Sequence, residues 1–227
     1  DFENINIEDK DALTQFVREL TPLLKEQGLV VSMDIGVPDG SENYSLCYDR
    51  EAIGQIVDYV MVMTYDQHWS TSPKAGSVAQ LKWVESKLVR TLESIPREKL
   101  LLGLPFYTRL WKEETDSNGA IKVTHVEAPS MEKARAIIEE NDAQVVWDDE
   151  SGQFYAEFEK DGAKYKIWIE SAESINLKSS LAQKYNLAGV AAWKRGDETP
   201  DIWEVLSRNL EEYKSYNEWQ EANSGIE

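Results

Sequence analysis

Residues 59 to 66 read Tyr-Val-Met-Val-Met-Thr-Tyr-Asp, an apolar run that ends in a polar pair. The run is short and rich in Val and Met, which predicts a buried β-strand. Three further runs have the same character: Leu29 to Val37, Lys99 to Tyr107 and Leu187 to Trp193. The four runs together predict a buried sheet.

Helical patterns follow these strands after polar loops, at roughly Asp49 to Val57, Ser77 to Ser94, Ile175 to Tyr185 and Pro200 to Tyr213. A further amphipathic helix, Asp11 to Gln27, precedes the first strand. We expect Pro22 to interrupt or kink that helix and Gly28 to end it. Alternation of strands and helices predicts an α/β fold with parallel strands joined by helices.

The pattern changes between Trp111 and Trp168. It predicts a helix at Met131 to Asn141 and then alternating strands at Gln144 to Trp147, Gln153 to Glu159 and Lys164 to Ile169. Turns at Glu150-Ser151-Gly152 and Asp161-Gly162 separate these strands. The segment is therefore expected to form a small antiparallel α+β insertion after the third parallel strand.

The number of strands bears on how the sheet closes. A (β/α)8 barrel of the TIM type needs eight strands, whereas this sequence offers four and a strand remnant at Asp1 to Asn4. We therefore expect a TIM-barrel-type fold truncated to roughly its last four βα units, with any export signal upstream of residue 1. The predicted segments are barrel residues 1–111, the insertion 112–170, barrel residues 171–214 and a polar tail, 215–227, that frays.

Four parallel strands cannot close into a barrel and leave two unpaired edges. We expect the missing half of the barrel to cover these edges in any stable form. The alternative is a second copy of the chain, that is, a homodimer through the exposed sheet edges.

Composition excludes several classes of partner. The net charge of -18 disfavours nucleic acid and anionic lipid, which a surface of this charge repels. The single Cys47 excludes an internal disulfide, and His68 and His125 are too far apart to suggest a zinc site. We expect no metal, no cofactor and, since no run of about 18 apolar residues occurs, no membrane span.

Polar and aromatic residues stand where the predicted strands end, namely Tyr65 and Asp66, Tyr107 and Arg109, and Trp193. Each has a structural explanation of its own, such as capping a core or starting a loop. In a barrel of parallel strands, however, the carboxyl ends of the strands meet at one face. Several such strand ends together favour a functional site.

Four other residues are candidates. Asp1 and Glu3 are two positions apart, so on a strand their carboxylates point to the same face and perturb each other's pKa. This arrangement suits general acid catalysis, although an Asp-x-Glu pair by itself is usually solvated. Trp69 and Trp111 are each explained equally well as an aromatic wall for a ligand or as the lining of a loop.

The motifs at residues 1–4 (Asp-Phe-Glu-Asn), 63–66 (Met-Thr-Tyr-Asp), 103–109 (Gly-Leu-Pro-Phe-Tyr-x-Arg) and 189–193 (Gly-Val-Ala-Ala-Trp) resemble glycoside hydrolase family 18. The likeness is greatest to its bacterial chitinase-like, spore-cortex and cell-wall N-acetylglucosaminidase branch. In the family signature Asp-x-x-Asp-x-Asp-x-Glu, Asp1 and Glu3 match the last two acidic positions, and the first two are missing. Thr108 stands where many relatives carry Gly.

The resemblance implies a role for each matching residue in a substrate-assisted, retaining hydrolysis. Glu3 would be the acid/base, Asp1 would orient the acetamido group of the sugar, and Tyr65 would hydrogen-bond to its carbonyl. Trp193 would form the floor of the subsite that holds the cleaved sugar. Asp66, Tyr107, Arg109, Trp69 and Trp111 are assigned to substrate binding.

The implied substrate is a polysaccharide that contains N-acetylglucosamine, in peptidoglycan, spore cortex or chitin. The implied location is secreted, associated with the cell wall or the spore. Two alternatives stay open at this point: an inactive, lectin-like glycan-binding protein of the same fold, and a catalytically incomplete fragment.

Overall fold

The structure is a computed structural model that describes residues 1–225. By their contacts, these residues form two compact units. The first unit comprises Asp1–Thr64, Glu85–Gly103 and Leu181–Ala191. The second comprises Tyr65–Val84, Leu104–Ser180 and the residues from Ala192 onward.

The strands are β1 (Ser32–Gly36), β2 (Tyr59–Met63), β3 (Leu100–Pro105), β4 (Leu110–Thr115), β5 (Ile121–Glu127), β6 (Val145–Asp148), β7 (Gln153–Lys160), β8 (Ala163–Ile169) and β9 (Gly189–Trp193). The α-helices are α1 (Lys10–Glu26), α2 (Arg50–Ile56), α3 (Leu81–Thr91), α4 (Met131–Glu140), α5 (Ala172–Tyr185), α6 (Asp201–Ser207) and α7 (Tyr216–Ala222). Short 3₁₀ helices precede α1 and β3, at Ile7–Asp9 and Arg97–Lys99, and π-helical turns occupy Glu42–Leu46 and Arg208–Glu212.

A four-stranded sheet in the order β1-β2-β3-β9 contains all four strands predicted from the apolar runs, so that prediction is confirmed. β1 pairs in parallel with β2, and β2 in parallel with β3. Ile35, Val60, Val62, Leu100 and Leu102 are fully buried, as their unbroken apolar sequence predicts. β9 is half-exposed because it lies at an edge of the sheet.

One side-chain bond extends the contact between β2 and β3 past their paired residues. The last backbone pair is Val62 with Leu102. Two residues further on, the buried Thr64 hydroxyl donates a 2.6 Å hydrogen bond to the Gly103 carbonyl oxygen. The bond fixes the ends of the two strands just before the residues Tyr65 and Asp66.

The second sheet has the order β5-β4-β8-β7-β6, and its pairs are antiparallel. Helix α4 packs on one face, where Ala134 and Ile137 join the core formed by the sheet residues Leu110, Ala156, Ile167 and Ile169. The predicted helix and three strands of this segment are confirmed. The strands β4 and β5 were not predicted, and the division of the chain at residues 111, 170 and 214 stays a prediction.

Three local expectations are wrong. Residues 1–4 pair with no strand among the described residues, and Asn4, at φ 55°, turns the chain before a ladder forms. Helix α1 is not interrupted at Pro22, whereas a kink there stays a prediction. The helix predicted from Ser77 begins at Leu81, because the Leu81 amide bonds instead to the Ser151 carbonyl.

The polar tail also differs from expectation. The Ser215 hydroxyl caps the first turn of α7 by accepting a hydrogen bond from the Glu218 amide. Trp219 on this helix is buried, and its indole Nε1 donates a 3.1 Å hydrogen bond to Asn176 Oδ1. The segment is therefore packed through residue 222, and only residues 226 and 227 of the predicted tail lie outside the described residues.

We expect Trp219→Ala to lower the free energy of unfolding by about 3 kcal/mol, because it empties a buried site and removes one of the hydrogen-bond donors to Asn176 Oδ1. The matched variant is Trp203→Ala, since Trp203 lies in the same unit with half of its surface exposed. We expect that variant to cost about 1 kcal/mol. Denaturant unfolding of both variants measures the difference, and equal losses would contradict the packed position of α7.

Candidate active site

The carboxylate of Asp66 lies at the centre of a polar cluster in the second unit. The Tyr107 hydroxyl and the Arg109 guanidinium each donate a 2.7 Å hydrogen bond to the same oxygen, Oδ1 of Asp66. Arg109 also lies over the Tyr107 ring, with its guanidinium carbon 5.9 Å from the ring centroid. The structure therefore brings together three of the residues that the sequence assigned to substrate binding.

Local structure explains how these side chains are positioned. Asp66 has a φ of 56°, in the left-handed region. It lies two residues after Thr64, whose hydroxyl bonds to Gly103 just past the end of β2. On the other strand, Tyr107 forms an isolated antiparallel bridge with Ser130, and the Thr108 amide donates to the Pro129 carbonyl at 3.0 Å. The backbone of each partner is thus held by bonds that do not involve the site.

Tyr107 acts as a hydrogen-bond donor throughout the accessible pH range. Its hydroxyl is buried, and both burial and the neighbouring Asp66 carboxylate raise the pKa of Tyr107 far above its ordinary value of 10. The Tyr65 ring packs edge-on against it, with centroids 6.2 Å apart. The neutral phenol and the guanidinium therefore both remain hydrogen-bond donors to Asp66 Oδ1.

His125 extends the cluster and was not identified as a site residue from the sequence. Its Nε2 lies 3.2 Å from Nη1 of Arg109, and its ring packs edge-on against Trp111 with centroids 5.7 Å apart. The residue lies on β5, opposite Trp111 in the strand register. In the sequence, the apolar residues Ile121 and Val123 alternate with polar ones, and His125 continues that alternation, which is the strand signal that would have revealed it.

The assignment of Trp111 to substrate contact is wrong for this structure. The side chain is fully buried, and its Nε1 donates a 2.9 Å hydrogen bond to the Gly76 carbonyl. No indole surface is left for a sugar. Trp111 instead supports the loop at Gly76 and the His125 ring.

Trp69 and Trp193 have the exposure that sugar stacking requires. Their relative exposures are 52% and 51%. The Trp69 indole donates to the Thr71 hydroxyl at 2.7 Å, which fixes the plane of its ring. The Trp193 carbonyl accepts a 2.8 Å bond from the Phe106 amide, and the peptide bond that follows it, to Lys194, is cis. Their assignment to a glycan stays a prediction.

Asp1 and Glu3 lie in the first unit and are both exposed. Between them, the Phe2 carbonyl accepts a 2.6 Å hydrogen bond from the Tyr48 hydroxyl. The Phe2 ring packs edge-on against Phe16 of α1, at 5.6 Å between centroids. The two carboxylates are thus carried by a segment that is held through its middle residue.

The buried Glu170 is surrounded by side chains that bond to its carboxylate. Its two oxygens accept hydrogen bonds from Lys178 Nζ at 2.6 and 2.7 Å, from the Gln153 side chain at 2.8 Å and from the Ser174 hydroxyl at 2.7 Å. Because burial lowers the pKa of Lys178, the close contact with Glu170 is what offsets the loss of solvation for its charge. This network joins α5 to β7 within the second unit.

Residues 1–225 contain neither a cluster of metal ligands nor a helix that could span a membrane. No group of three or more His, Cys, Asp or Glu side chains there has the geometry to hold a metal ion. No helix in the same residues has the combined length and apolar character needed to cross a bilayer.

Comparison with protein families decides the classification. The family model described as "Glycosyl hydrolases family 18" matches residues 1–198. The chain belongs to glycosyl hydrolase family 18. The match includes the segment of Asp1 and Glu3, the Asp66 cluster and Trp193, so the family suggested by the four motifs is confirmed.

Individual relatives agree with this family. The chain is 27% identical over 214 residues to YvbX of Bacillus subtilis strain 168, described as an uncharacterized glycosylase, covering 92% of this chain and 59% of that protein. It is 29% identical over 211 residues to the cortical fragment-lytic enzyme of the same organism, covering 91% of this chain and 48% of that protein. The chain therefore spans about half the length of the curated relatives it matches.

A solved chitinase confirms the fold. The structure of the chitinase from Chromobacterium violaceum ATCC 12472 aligns with a TM-score of 0.81 at 25% identity, covering 92% of this chain and 64% of that chain. The parallel sheet with its helices is accordingly a fragment of a family 18 barrel, and the four parallel strands described here do not close it.

The contact between His125 and Arg109 generates a pH prediction for this family 18 chain. Burial, and then the Arg109 charge, lower the pKa of His125 from its ordinary 6.5. The unfolded chain therefore binds the proton first, and stability falls as pH drops through about 6.5 until His125 is protonated in the folded state as well. We expect His125→Gln to remove this loss, so that its unfolding free energy changes less between about pH 5 and 7 than that of the wild type.

The matched control is Thr124→Gln, which introduces the same side chain at an exposed position of β5 and removes no titratable group. We expect it to keep the wild-type pH dependence in denaturant titrations. Identical pH profiles for wild type and His125→Gln would show that folding does not lower the pKa of His125.

Proposed function

We propose that this chain carries catalytic residues of a glycoside hydrolase that cleaves glycans containing N-acetylglucosamine, by substrate-assisted hydrolysis with retention. The observation that carries the proposal is the family match over residues 1–198, which includes Glu3, Tyr65 and Trp193 at motif positions. Family 18 is one of the groups in which the sugar itself supplies the nucleophile.

In the first step, the Glu3 carboxyl protonates the glycosidic oxygen. The carbonyl oxygen of the acetamido group at C2 of the sugar attacks the anomeric carbon, the bond to the leaving group breaks, and an oxazolinium ion forms. Asp1 accepts a hydrogen bond from the acetamido N–H and stabilises the developing positive charge. The Tyr65 hydroxyl donates to the acetamido carbonyl and keeps it beneath the anomeric centre.

In the second step, the Glu3 carboxylate takes a proton from water, and the water oxygen opens the oxazolinium ring at the anomeric carbon. Two displacements at one carbon leave its configuration unchanged. Trp193 stacks on the apolar face of the bound sugar, and its half-exposed indole suits that role. Trp69, exposed to the same degree, is proposed to bind a neighbouring sugar.

The Asp66 cluster is proposed to bind the substrate through the second carboxylate oxygen. Oδ1 is occupied by Tyr107 and Arg109, whereas Oδ2 accepts no hydrogen bond from any residue that the structure describes. The Asp66 side chain is 37% exposed, so a sugar hydroxyl can approach Oδ2. Two fixed donors on the other oxygen hold the carboxylate in place for that contact.

The substrate class is proposed as peptidoglycan of the cortex or cell wall, with chitin as the alternative. Support comes from the cortical fragment-lytic enzyme among the relatives and from the chitinase among the solved structures. The corresponding location is secreted, at the spore or the cell wall.

Glu3→Gln tests the acid/base assignment. In the full-length protein, we expect this change to lower kcat on a chromogenic N-acetylglucosamine oligomer by about 10²- to 10⁴-fold, because an amide cannot transfer the proton. The matched control is Glu8→Gln, five residues further along and also exposed, which should keep wild-type turnover.

Full activity of Glu3→Gln would remove Glu3 from the mechanism. A wild-type protein that binds the oligomer in calorimetry without turning it over would favour the alternative function, a lectin-like glycan-binding protein. The half-exposed Trp69 and Trp193 are the residues that such a protein would use.

The sheet edges suggest how the barrel is completed. Among residues 1–225, β1 and β9 are the outer strands of the parallel sheet. We propose that further strands of the same barrel cover these edges in a longer protein, and that the isolated chain pairs through them as a homodimer. Light scattering of the isolated chain at high concentration should then give twice the monomer mass, and a strictly monomeric chain would contradict the pairing.

A further inference from the structure

Tyr48 connects the acidic N-terminal segment to the interior of the first unit. Its side chain is only 2% exposed, and its hydroxyl donates a 2.6 Å hydrogen bond to the Phe2 carbonyl oxygen, 46 residues earlier in the sequence. Phe2 lies between the two carboxylates of Asp1 and Glu3. This carbonyl belongs to the peptide group that joins Phe2 to Glu3, so the bond fixes the peptide plane next to Glu3 and holds the residue that follows Asp1.

The loop that carries Tyr48 is itself firmly held. The Arg50 guanidinium donates to the carbonyl oxygens of Gly36 at 2.8 Å and Ser45 at 2.9 Å, which joins the loop to the end of β1. Asp49 caps α2 by accepting a 3.1 Å hydrogen bond from the Ala52 amide. The backbone is therefore fixed on both sides of Tyr48, by Arg50 at Ser45 and by Asp49 at α2.

Close packing at Gly36 confirms how tightly this loop meets the strand. A Cβ atom at Gly36 would overlap the Tyr44 carbonyl oxygen, so only glycine allows the loop to come this close to β1. The loop also reaches the N-terminal segment directly, because the Asn43 side chain accepts a 3.2 Å bond from the Ile7 amide. The N-terminal segment is thus positioned by the loop after β1.

The electrostatic environment keeps the Tyr48 hydroxyl protonated. Burial is the main cause that raises the pKa of Tyr48 far above 10, and the charges of Cys47 and Glu3 raise it further. The hydroxyl is therefore a donor under all conditions in which the protein would act.

We propose that Tyr48 is a positioning residue, which holds the Phe2 carbonyl so that Asp1 and Glu3 keep a fixed place relative to the glycan. The inference rests on the proposed function of Glu3. It assigns to Tyr48 no contact with substrate and no proton transfer. Residues 1–4 belong to no strand among the described residues, so their geometry depends on bonds of this kind.

Tyr48→Phe in the full-length protein tests this role, because it keeps the ring and removes the hydroxyl. Displacement of a catalytic group by about 1 Å costs about 100-fold in rate. We expect kcat on a chromogenic N-acetylglucosamine oligomer to fall about 10- to 100-fold, with KM within about twofold of wild type. We also expect faster amide hydrogen exchange in peptides that cover Asp1 to Ile7.

The matched control is Tyr185→Phe. Tyr185 lies in the same unit, and its hydroxyl donates a 2.7 Å bond to Glu85, so the variant loses a comparable hydrogen bond without touching the acidic segment. We expect it to show the same change in melting temperature as Tyr48→Phe and wild-type kcat. An equal loss of kcat in both variants, or wild-type kcat in Tyr48→Phe, would overturn the positioning role.

Hydrogen exchange separates a failure of the Tyr48 role from a failure of the proposed hydrolase function. If the wild type does not hydrolyse the oligomer, the assignment of Glu3 fails, and hydrogen exchange alone then decides the role of Tyr48. Faster exchange across Asp1 to Ile7 in Tyr48→Phe, but not in Tyr185→Phe, would support the proposed hold on the segment. Unchanged exchange would overturn it.

Discussion

Parallel pairing of β1, β2 and β3 brings the carboxyl ends of these strands to one edge of the sheet, and the candidate site residues follow from that constraint. Most residues of these strands are buried, so their register is fixed by packing as well as by backbone hydrogen bonds. The bond from Thr64 to Gly103 extends this order by two residues, to the point where the chain changes from apolar to polar. Tyr65 and Asp66 continue directly from β2 beyond that bond.

The candidate residues of the two units are held in different ways. Asp66 is held through its side chain, since a neutral phenol and a charged guanidinium donate hydrogen bonds to the same carboxylate oxygen. The Asp1 and Glu3 segment is held through its backbone, by the Tyr48 bond to Phe2 and the contact between Phe2 and Phe16. In both cases the supporting bonds are made to an atom other than the carboxylate oxygen that we propose to contact the substrate. Fixed polar groups of this kind suit a reaction in which charge develops at a defined point.

The four parallel strands could be predicted because their sequences are unbroken apolar runs, a local property. The strand β4 could not, because Lys112, Glu113 and Glu114 resemble a solvated loop until Lys166 of β8 pairs with Glu113 at 2.8 Å. Helix α7 was missed for a similar reason, since the burial of Trp219 depends on Asn176, 43 residues away. Asp66, Tyr107 and Arg109 could be proposed as site residues because they follow the ends of predicted strands. The contacts of His125 and Tyr48, and the burial of Trp111, depend on packing between distant segments, which no local pattern contains.

The central claim is that the acetamido group of the sugar acts as the nucleophile while Glu3 moves the proton. The most direct measurement is kcat/KM of the full-length protein on aryl N-acetylglucosamine oligomers whose acetyl group carries zero, one, two or three fluorine atoms. Fluorine withdraws electrons from the carbonyl oxygen and weakens its attack on the anomeric carbon. The account predicts a steep fall in kcat/KM with each added fluorine. A value that does not change along the series would contradict it and require a nucleophile from the protein or from water.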